Sequence, residues 1–350
     1  MQQPSRPLRT TSTPLRRQRR PAPRFPALAV FFLLGAISLG AWIGLGRSAG
    51  EDVQESAGTL CPDAACAGAQ VEARPVAVVS GPTPCAYCGQ DPNRWRSVAV
   101  GNTPPPEIGG KSAAIIEASC GALLYGFNEN ERRPPASLTK MAAAMATLKH
   151  ARLNDMVEVK INGWDLASDD NSTIMGLEAG MRLSVQDLLY GMMLVSGNDA
   201  ALALADHLGR DRFVGWMNDE VRRLGLVNTR FVTADGRDAP GHYSTALDMA
   251  LLGRALLQEP FLKQVVNTKN YTPRWSGPTL WNNNEMIYAY SDAVGVKTGY
   301  TETADFTIVT GVQRNGRLLI ASVFGSWNLY WDPVRLLNWA FENTRSACPS

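Results

Sequence analysis

Apolar and polar positions divide the chain into three textures. Residues 25–46, reading FPALAVFFLLGAISLGAWIGLG, carry no charge and are long enough to cross a bilayer as a helix. Residues 47–105 are rich in Ala, Gly, Pro and Ser and hold no sustained periodicity. From Ile108 apolar runs return at strand and helix spacings. SAAIIE at residues 112–117 and ALLYG at 122–126 predict two strands joined by a turn near Cys120-Gly121. Pro134-Pro135 then stand where a helix can begin but not continue, ahead of the helix-forming run MAAAMA at 141–146. Residues 156–161 predict a short strand. Helical spacing returns over 184–194, with Ser184 as N-cap ahead of Asp187. Ser196-Gly197-Asn198 closes that helix, Gly197 supplying the change of direction. Further helices are predicted from Asp199 to Gly209 and over 213–224 and 245–257. Strands follow at 293–299, 306–312 and 318–324, the last two flanking a hairpin turn at Arg314-Asn315-Gly316. A helix over 334–343 closes the pattern. Two strands, a block of helices, then strands and a helix predict an α+β fold: an antiparallel sheet with flanking helices, plus an all-helical lobe.

Charge places these textures relative to a membrane. Residues 1–24 hold seven arginines, five prolines and no acid, a composition that cannot bury a core. Such a tail, set before an apolar span, reads as cytoplasmic, with everything beyond Arg47 on the other side. Two alternatives remain open: a cleaved signal peptide, although Arg47 sits where a small residue is wanted, and a twin-arginine export signal. Of the 34 basic residues, removing the tail's seven leaves 27 against 32 acidic ones, so the net charge of +2 is misleading. No nucleic-acid footprint is left. Cys61, Cys66, Cys85 and Cys88 fall in the 47–105 stalk; disulfides suit that compartment better than a zinc site, and their pairing stays open. The domain plan is thus a tail (1–24), a span (25–46), a stalk (47–105) and a catalytic domain (106–347).

The chemistry centres on Ser137-Leu138-Thr139-Lys140. Residues i and i+3 share a helix face, so Lys140 can reach the Ser137 hydroxyl and take its proton. A helix N-terminus adds positive character that favours an oxyanion there. Alone, this spacing is common. It gains meaning from Ser196-Gly197-Asn198, 59 residues after Ser137, and Lys297-Thr298-Gly299, 101 residues further on. S-x-x-K, S-D-N and K-T-G in this order form the signature of serine penicillin-binding proteins and class A β-lactamases, and this chain carries S-G-N in the second place.

Residues 106–345 resemble the D-alanyl-D-alanine carboxypeptidase family, the low-molecular-mass penicillin-binding proteins. PPASLTK, LLYGMMLVSGNDAALALADHLG, FVGWMNDEVRRLGLVNTRF, GHYSTALDMA and VGVKTGYT carry the resemblance. It implies a β-lactamase/transpeptidase-like fold with the active site between lobes and no cofactor or metal. It makes Ser137 the nucleophile and Lys140 its base, the ammonium disfavoured by Lys297 and partial burial. Ser196 would relay a proton to the leaving D-alanine, and Asn198 would hold the substrate amide and Lys140. Lys297 and Thr298 would face the substrate carboxylate, and Gly299 would let the strand edge approach the acyl group. The N–H groups of Ser137 and Tyr300 would form the oxyanion hole. Asp199 is expected to cap its helix, His242 to be structural, and Trp216 and Met217 to be core.

The implied function is a serine D-Ala-D-Ala carboxypeptidase that trims peptidoglycan stem peptides, is acylated by β-lactams and is anchored by one N-terminal span in a bacterial membrane. SGN, and the absence of an E-x-x-L-N-like loop, point away from a β-lactamase. Alternatives are a D,D-endopeptidase and an inactive wall-binding scaffold. Many relatives continue into a further β-rich domain, which this chain is expected to lack. Two positions depart from the family: Asp305 stands where glycine is frequent, and residues 327–332 lack the arginine expected to read the substrate carboxylate. Because the first strands and last helix share a lobe in that fold, the resemblance also implies a Cys120–Cys348 disulfide.

Overall fold

The computed structural model describes residues 103–170, 172–275, 277–345 and 348. The expected tail, span, Cys61, Cys66, Cys85 and Cys88, and all but the last residues of the stalk, lie outside them. Among the described residues no helix is long and apolar enough to cross a membrane.

The chain opens with strands β1 (Ser112–Glu117) and β2 (Leu123–Phe127), followed by a 3₁₀ turn, Ala136–Thr139, and helix α1 (Lys140–His150). The helical lobe adds β3 (Met156–Glu158), α2 (Gly163–Asp170), β4 (Arg182–Ser184), α3 (Val185–Leu194), α4 (Asn198–Leu208) and α5 (Arg210–Arg223). Then come α6 (Ala246–Gln258), α7 (Pro260–Asn267), β5 (Asn270–Tyr271), β6 (Leu280–Trp281) and α8 (Met286–Ala289). Strands β7 (Ala293–Thr301), β8 (Asp305–Arg314) and β9 (Arg317–Phe324) and helix α9 (Trp331–Asn343) complete it. The antiparallel sheet runs β2-β1-β9-β8-β7, so the two ends of the domain are zipped together and β7 is left at an edge.

Both faces of the central strands are covered, which is why β1 reads as a continuous apolar run. Ala114 and Ile116 join a core shared with the helical lobe and α6; Ala113 and Ile115 join a second core beneath α9. At the β8–β9 hairpin, Asn315 (φ 51°) and Gly316 (φ 78°) supply two successive left-handed residues, as a tight antiparallel turn requires. Ser184 and Thr245 cap α3 and α6 by accepting from the Asp187 and Asp248 N–H groups.

The expected disulfide is present: Cys120, in the β1–β2 turn, is bonded to Cys348, with Cα atoms 5.6 Å apart. Beside it the buried Glu117 carboxylate accepts from Arg317 Nε (3.0 Å) and Nη2 (2.8 Å), while Arg317 Nη1 donates to the Thr344 carbonyl (3.0 Å). Asp305, at the departure from the family pattern, is left-handed (φ 55°) and pairs with Lys111 at 2.7 Å. That conformation accounts for the glycine frequent in relatives.

Some expectations need correction. The strand over 156–161 is only Met156–Glu158, because pairing with β4 lasts three residues. Trp216 lies at the edge of the core rather than inside it: it is partly buried, packs against the larger core and stacks on His150 with ring centroids 3.6 Å apart, whereas Met217 is fully buried. Helices α2, α7 and α8 and the β5–β6 pair were not anticipated.

Candidate active site

The nucleophile turn is built by what surrounds it. Leu138 is fully buried in the larger core and anchors the turn, leaving its neighbour Ser137 on the cleft wall. Ala136, just before Ser137, is held left-handed (φ 50°), an unfavourable state for alanine that packing must enforce. Ser137 and Lys140 do not share an α-helical face as the spacing suggested. Ser137 lies in the 3₁₀ turn and Lys140 begins α1. In a 3₁₀ turn i and i+3 eclipse, which brings Lys140 Nζ to 2.8 Å from Ser137 Oγ.

Lys140 is completely rather than partially buried. Its Nζ also donates to Asn198 Oδ1 (2.6 Å) and to the Asp235 backbone carbonyl. Burial pushes its pKa down to about 8; Asp235 and Asp199 act against that and Arg237 with it. A neutral amine has two N–H donors and one lone pair. With Asn198 and the Asp235 carbonyl fixed as acceptors, the lone pair is left for the Ser137 hydroxyl. That is the geometry of a general base.

The second motif is carried by a strained residue. Gly197 was expected to turn the chain, but the left-handed conformation falls on Ser196 (φ 65°), while Gly197 has φ −57°. Gly197 is needed for space: a Cβ there would lie 2.8 Å from Asp199 Oδ1. Asp199 was expected to cap α4, but Gly197 is the N-cap, without a side-chain bond, and Asp199 lies within the first turn. Its fully buried carboxylate accepts from the N–H groups of Met175, Gly176 and Leu177 at 2.9–3.1 Å, tying that loop beneath the site. Asn198 Nδ2 donates to Ser172 Oγ at 2.7 Å.

The third motif lies on edge strand β7. Thr298, Gly299 and the half-exposed Tyr300 line the cleft. Lys297 does not: it is buried a layer below, donating to Ser196 Oγ (2.9 Å) and the Thr298 carbonyl (2.8 Å). Burial, then the nearby Lys140, hold its pKa well below the usual lysine value. Its contact with the cleft is made through Ser196, whose hydroxyl it holds. Gly299 admits the nucleophile turn itself, since a Cβ at this position would sit 2.8 Å from the Ser137 nitrogen.

The cleft has a volume of about 820 Å³, and Ser172, Thr173, the 233–238 loop, Thr301–Thr303, Phe306, Leu329 and Tyr330 also contribute to its lining. His242 is buried and structural. Its Nδ1 accepts from the Val232 (2.9 Å) and Thr233 (3.3 Å) N–H groups, so Nε2 carries the proton and donates to Thr139 Oγ1 at 2.9 Å. Burial lowers its pKa to about 4. Sequence reasoning missed Asp235, Gly236 and Arg237. The only local sign of them was a glycine between charged residues, Asp235-Gly236-Arg237-Asp238, just ahead of GHYST. No group of three or more His, Cys, Asp or Glu side chains among the described residues is arranged to hold a metal ion.

Comparison with known proteins agrees with this geometry. Residues 99–328 match the family model described as D-alanyl-D-alanine carboxypeptidase. D-alanyl-D-alanine carboxypeptidase DacD of Escherichia coli is 36% identical over 255 residues, covering 68% of this chain and 65% of that protein. The chain thus spans slightly less than two thirds of that relative's length. D-alanyl-D-alanine carboxypeptidase DacB2 of Mycobacterium tuberculosis is 34% identical over 253 residues, covering 69% of this chain and 86% of its own. Among solved structures, the DD-transpeptidase of Streptomyces K15 superposes with a TM-score of 0.65 at 30% identity, covering 69% of this chain and all of that one. The fold is therefore of the DD-transpeptidase and carboxypeptidase type, with the nucleophile turn, the SGN turn and the KTG strand around one cleft. The chain belongs to the D-alanyl-D-alanine carboxypeptidase family.

Proposed function

We propose that the protein is a serine D-Ala-D-Ala carboxypeptidase that removes the terminal D-alanine from peptidoglycan stem peptides through an acyl-enzyme. The observation that carries the reading is the buried Lys140 amine, 2.8 Å from Ser137 Oγ, with its remaining bonds taken by Asn198 and the Asp235 carbonyl. Ser137 Oγ attacks the penultimate D-Ala carbonyl as its proton passes to Lys140 Nζ. The N–H groups of Ser137 and Tyr300 receive the developing oxyanion. As the C–N bond breaks, the D-alanine amine takes a proton relayed by Ser196, which Lys297 holds in place. Water then hydrolyses the ester. Asn198, Thr298 and Gly299 line the path of the peptide. β-Lactams would acylate Ser137 in the same way and leave slowly.

In this reading residues 25–46 hold the protein to a bacterial membrane by a single span, with the catalytic domain outside the cytoplasm, where the substrate lies. The support is the uncharged run and the arginine-rich tail before it.

A D,D-endopeptidase activity on cross-links is the second reading. One feature favours it: Leu329 and Tyr330 line the cleft in the segment where an arginine was expected. Incubation with a model pentapeptide ending in D-Ala-D-Ala tests both. Release of free D-alanine by the wild type and not by Ser137→Ala is the expected result. Cleavage of a cross-linked dimer without D-alanine release overturns the first reading in favour of the second.

A further inference from the structure

The 233–238 loop touches the base of the reaction, yet none of the motifs contains it. Its chain is pressed against the nucleophile turn at Gly236, where a Cβ would lie 2.1 Å from the Ala136 oxygen. Thr233 braces the loop internally: its Oγ1 accepts from the Gly236 N–H (3.2 Å) and donates to the Arg237 carbonyl (3.1 Å). The Asp235 carbonyl is therefore fixed as an acceptor for Lys140, and its carboxylate is buried close by. That carboxylate accepts from Arg237 Nε at 2.7 Å and from the Arg237 N–H at 3.3 Å. Arg237 itself forms part of the cleft wall, with its side chain 40% exposed.

We infer that Arg237 is a positioning residue for the proton transfer: by holding the Asp235 carboxylate in an ion pair, it prevents that buried charge from locking Lys140 in its ammonium form. The inference rests on Ser137 and Lys140 acting as nucleophile and base. An unopposed carboxylate beside a buried amine stabilises the protonated amine, and a protonated amine cannot accept the Ser137 proton. Among the described residues, the charges that act on Lys140 are those of Asp235, Asp199 and Arg237. From α4, Asp199 favours the ammonium, but its charge is shared among the N–H groups of residues 175–177. On β7, Lys297 is itself held well below its usual value by burial and by the Lys140 charge. The Asp206–Arg210 ion pair lies further along the same side and carries both signs. The Asp235–Arg237 pair is the element whose balance a single substitution can tip.

The test is the pH dependence of Ser137 acylation by a fluorescent penicillin, measured on the full-length protein. In the wild type the rate rises with pH as Lys140 loses its proton. Arg237→Gln leaves Asp235 unopposed. Allowing for solvent screening of the half-exposed guanidinium, the acid limb should move up by about one pH unit, roughly tenfold slower acylation at any pH below the limb. Asp235→Asn removes the opposite charge and should move the limb down. The double variant should bring it back near the wild-type position, and Arg237→Lys should hold it there. A purely structural role for Arg237 would lower the rate at every pH and leave the limb in place. Limbs that stay put in both single variants, or that move the same way, overturn the inference. If Arg237→Gln does not fold, Asp235→Asn decides alone: a limb shifted down supports the inference, and one unmoved or shifted up refutes it. A wild type that takes no label at Ser137 would instead refute the proposed function, an outcome distinct from an unmoved limb in labelled protein.

Discussion

Replacing Gly236 by alanine asks how closely the 233–238 loop controls the nucleophile. Gly236 has φ +91°, and the added Cβ would lie 2.1 Å from the Ala136 oxygen, 2.6 Å from its carbonyl carbon and 3.1 Å from the Ser137 nitrogen. All three are backbone atoms, so no side chain can swing aside. Relieving the clash requires about 1 Å of backbone movement in the loop, the nucleophile turn or both. The left-handed conformation costs alanine about 1–2 kcal/mol, and overpacking adds about 1–3 kcal/mol. The sum is roughly 2–5 kcal/mol, a drop in Tm of about 5–15 °C for a domain of this size. A 1 Å displacement of catalytic groups costs on the order of 10²-fold in rate. Gly180 provides the control: its φ is +89°, but nothing lies within 4 Å of a Cβ built there. Gly180→Ala should show only the conformational cost, about 1–2 kcal/mol, with an unchanged acylation rate. Thermal melts and stopped-flow penicillin acylation of both variants make the comparison. Wild-type acylation by Gly236→Ala, or an equal loss of rate in Gly180→Ala, would refute the idea that this contact positions Ser137.

Lys140→Ala should slow acylation by about 10²–10⁴, the usual span for a lost general base, with the melt showing whether fold is retained. Cys348→Ser opens a loop that spans 228 residues in sequence and should cost up to about 5 kcal/mol in the entropic model; peptide mapping that finds Cys120 as a free thiol in the wild type would remove the premise. His242 is buried with its pKa lowered to about 4, below the unfolded value near 6.5, so the unfolded chain binds more protons between those limits. Its contribution is full above about pH 6.5 and is lost as pH falls toward 4, roughly 3 kcal/mol in all. Denaturant titrations across that range should show a shallower pH slope in His242→Gln than in the wild type, and identical slopes would refute the assignment.

The parts of the site that were legible in sequence are those whose chemistry sits in consecutive side chains. Ser137 and Lys140 are three apart because reach demands it, even though the turn that joins them is 3₁₀ rather than α. The β8–β9 hairpin was legible from Asn315-Gly316, and α3 from its Ser184 cap and apolar spacing. Helix α7 carried a readable signal as well, Pro260 at its first turn with Leu262, Val265 and Val266 buried on one face. Helix α8 and the β5–β6 pair are too short for periodicity to register. What stayed hidden depends on backbone atoms and on distant partners. Asp235 serves Lys140 through a carbonyl that every residue possesses, so its side chain gave no clue. Gly197 is required because the Asp199 carboxylate occupies the space beside it, a contact the SGN motif does not reveal. The Cys120–Cys348 pairing followed from the family's arrangement of the first strands and last helix, not from the spacing of the cysteines.

The most direct measurement is the mass of the full-length protein after exposure to penicillin, followed by peptide mapping. A β-lactam ring opened by Ser137 leaves no small fragment to depart, so the account predicts a gain equal to the whole penicillin mass, located on the peptide that holds Ser137. Ser137→Ala should gain nothing while staying folded, its melt lowered only by the lost hydrogen bond to Lys140, about 1 kcal/mol. Labelling of Ser137→Ala at the wild-type rate, or an adduct on a different peptide, would place the nucleophile elsewhere and contradict the mechanism.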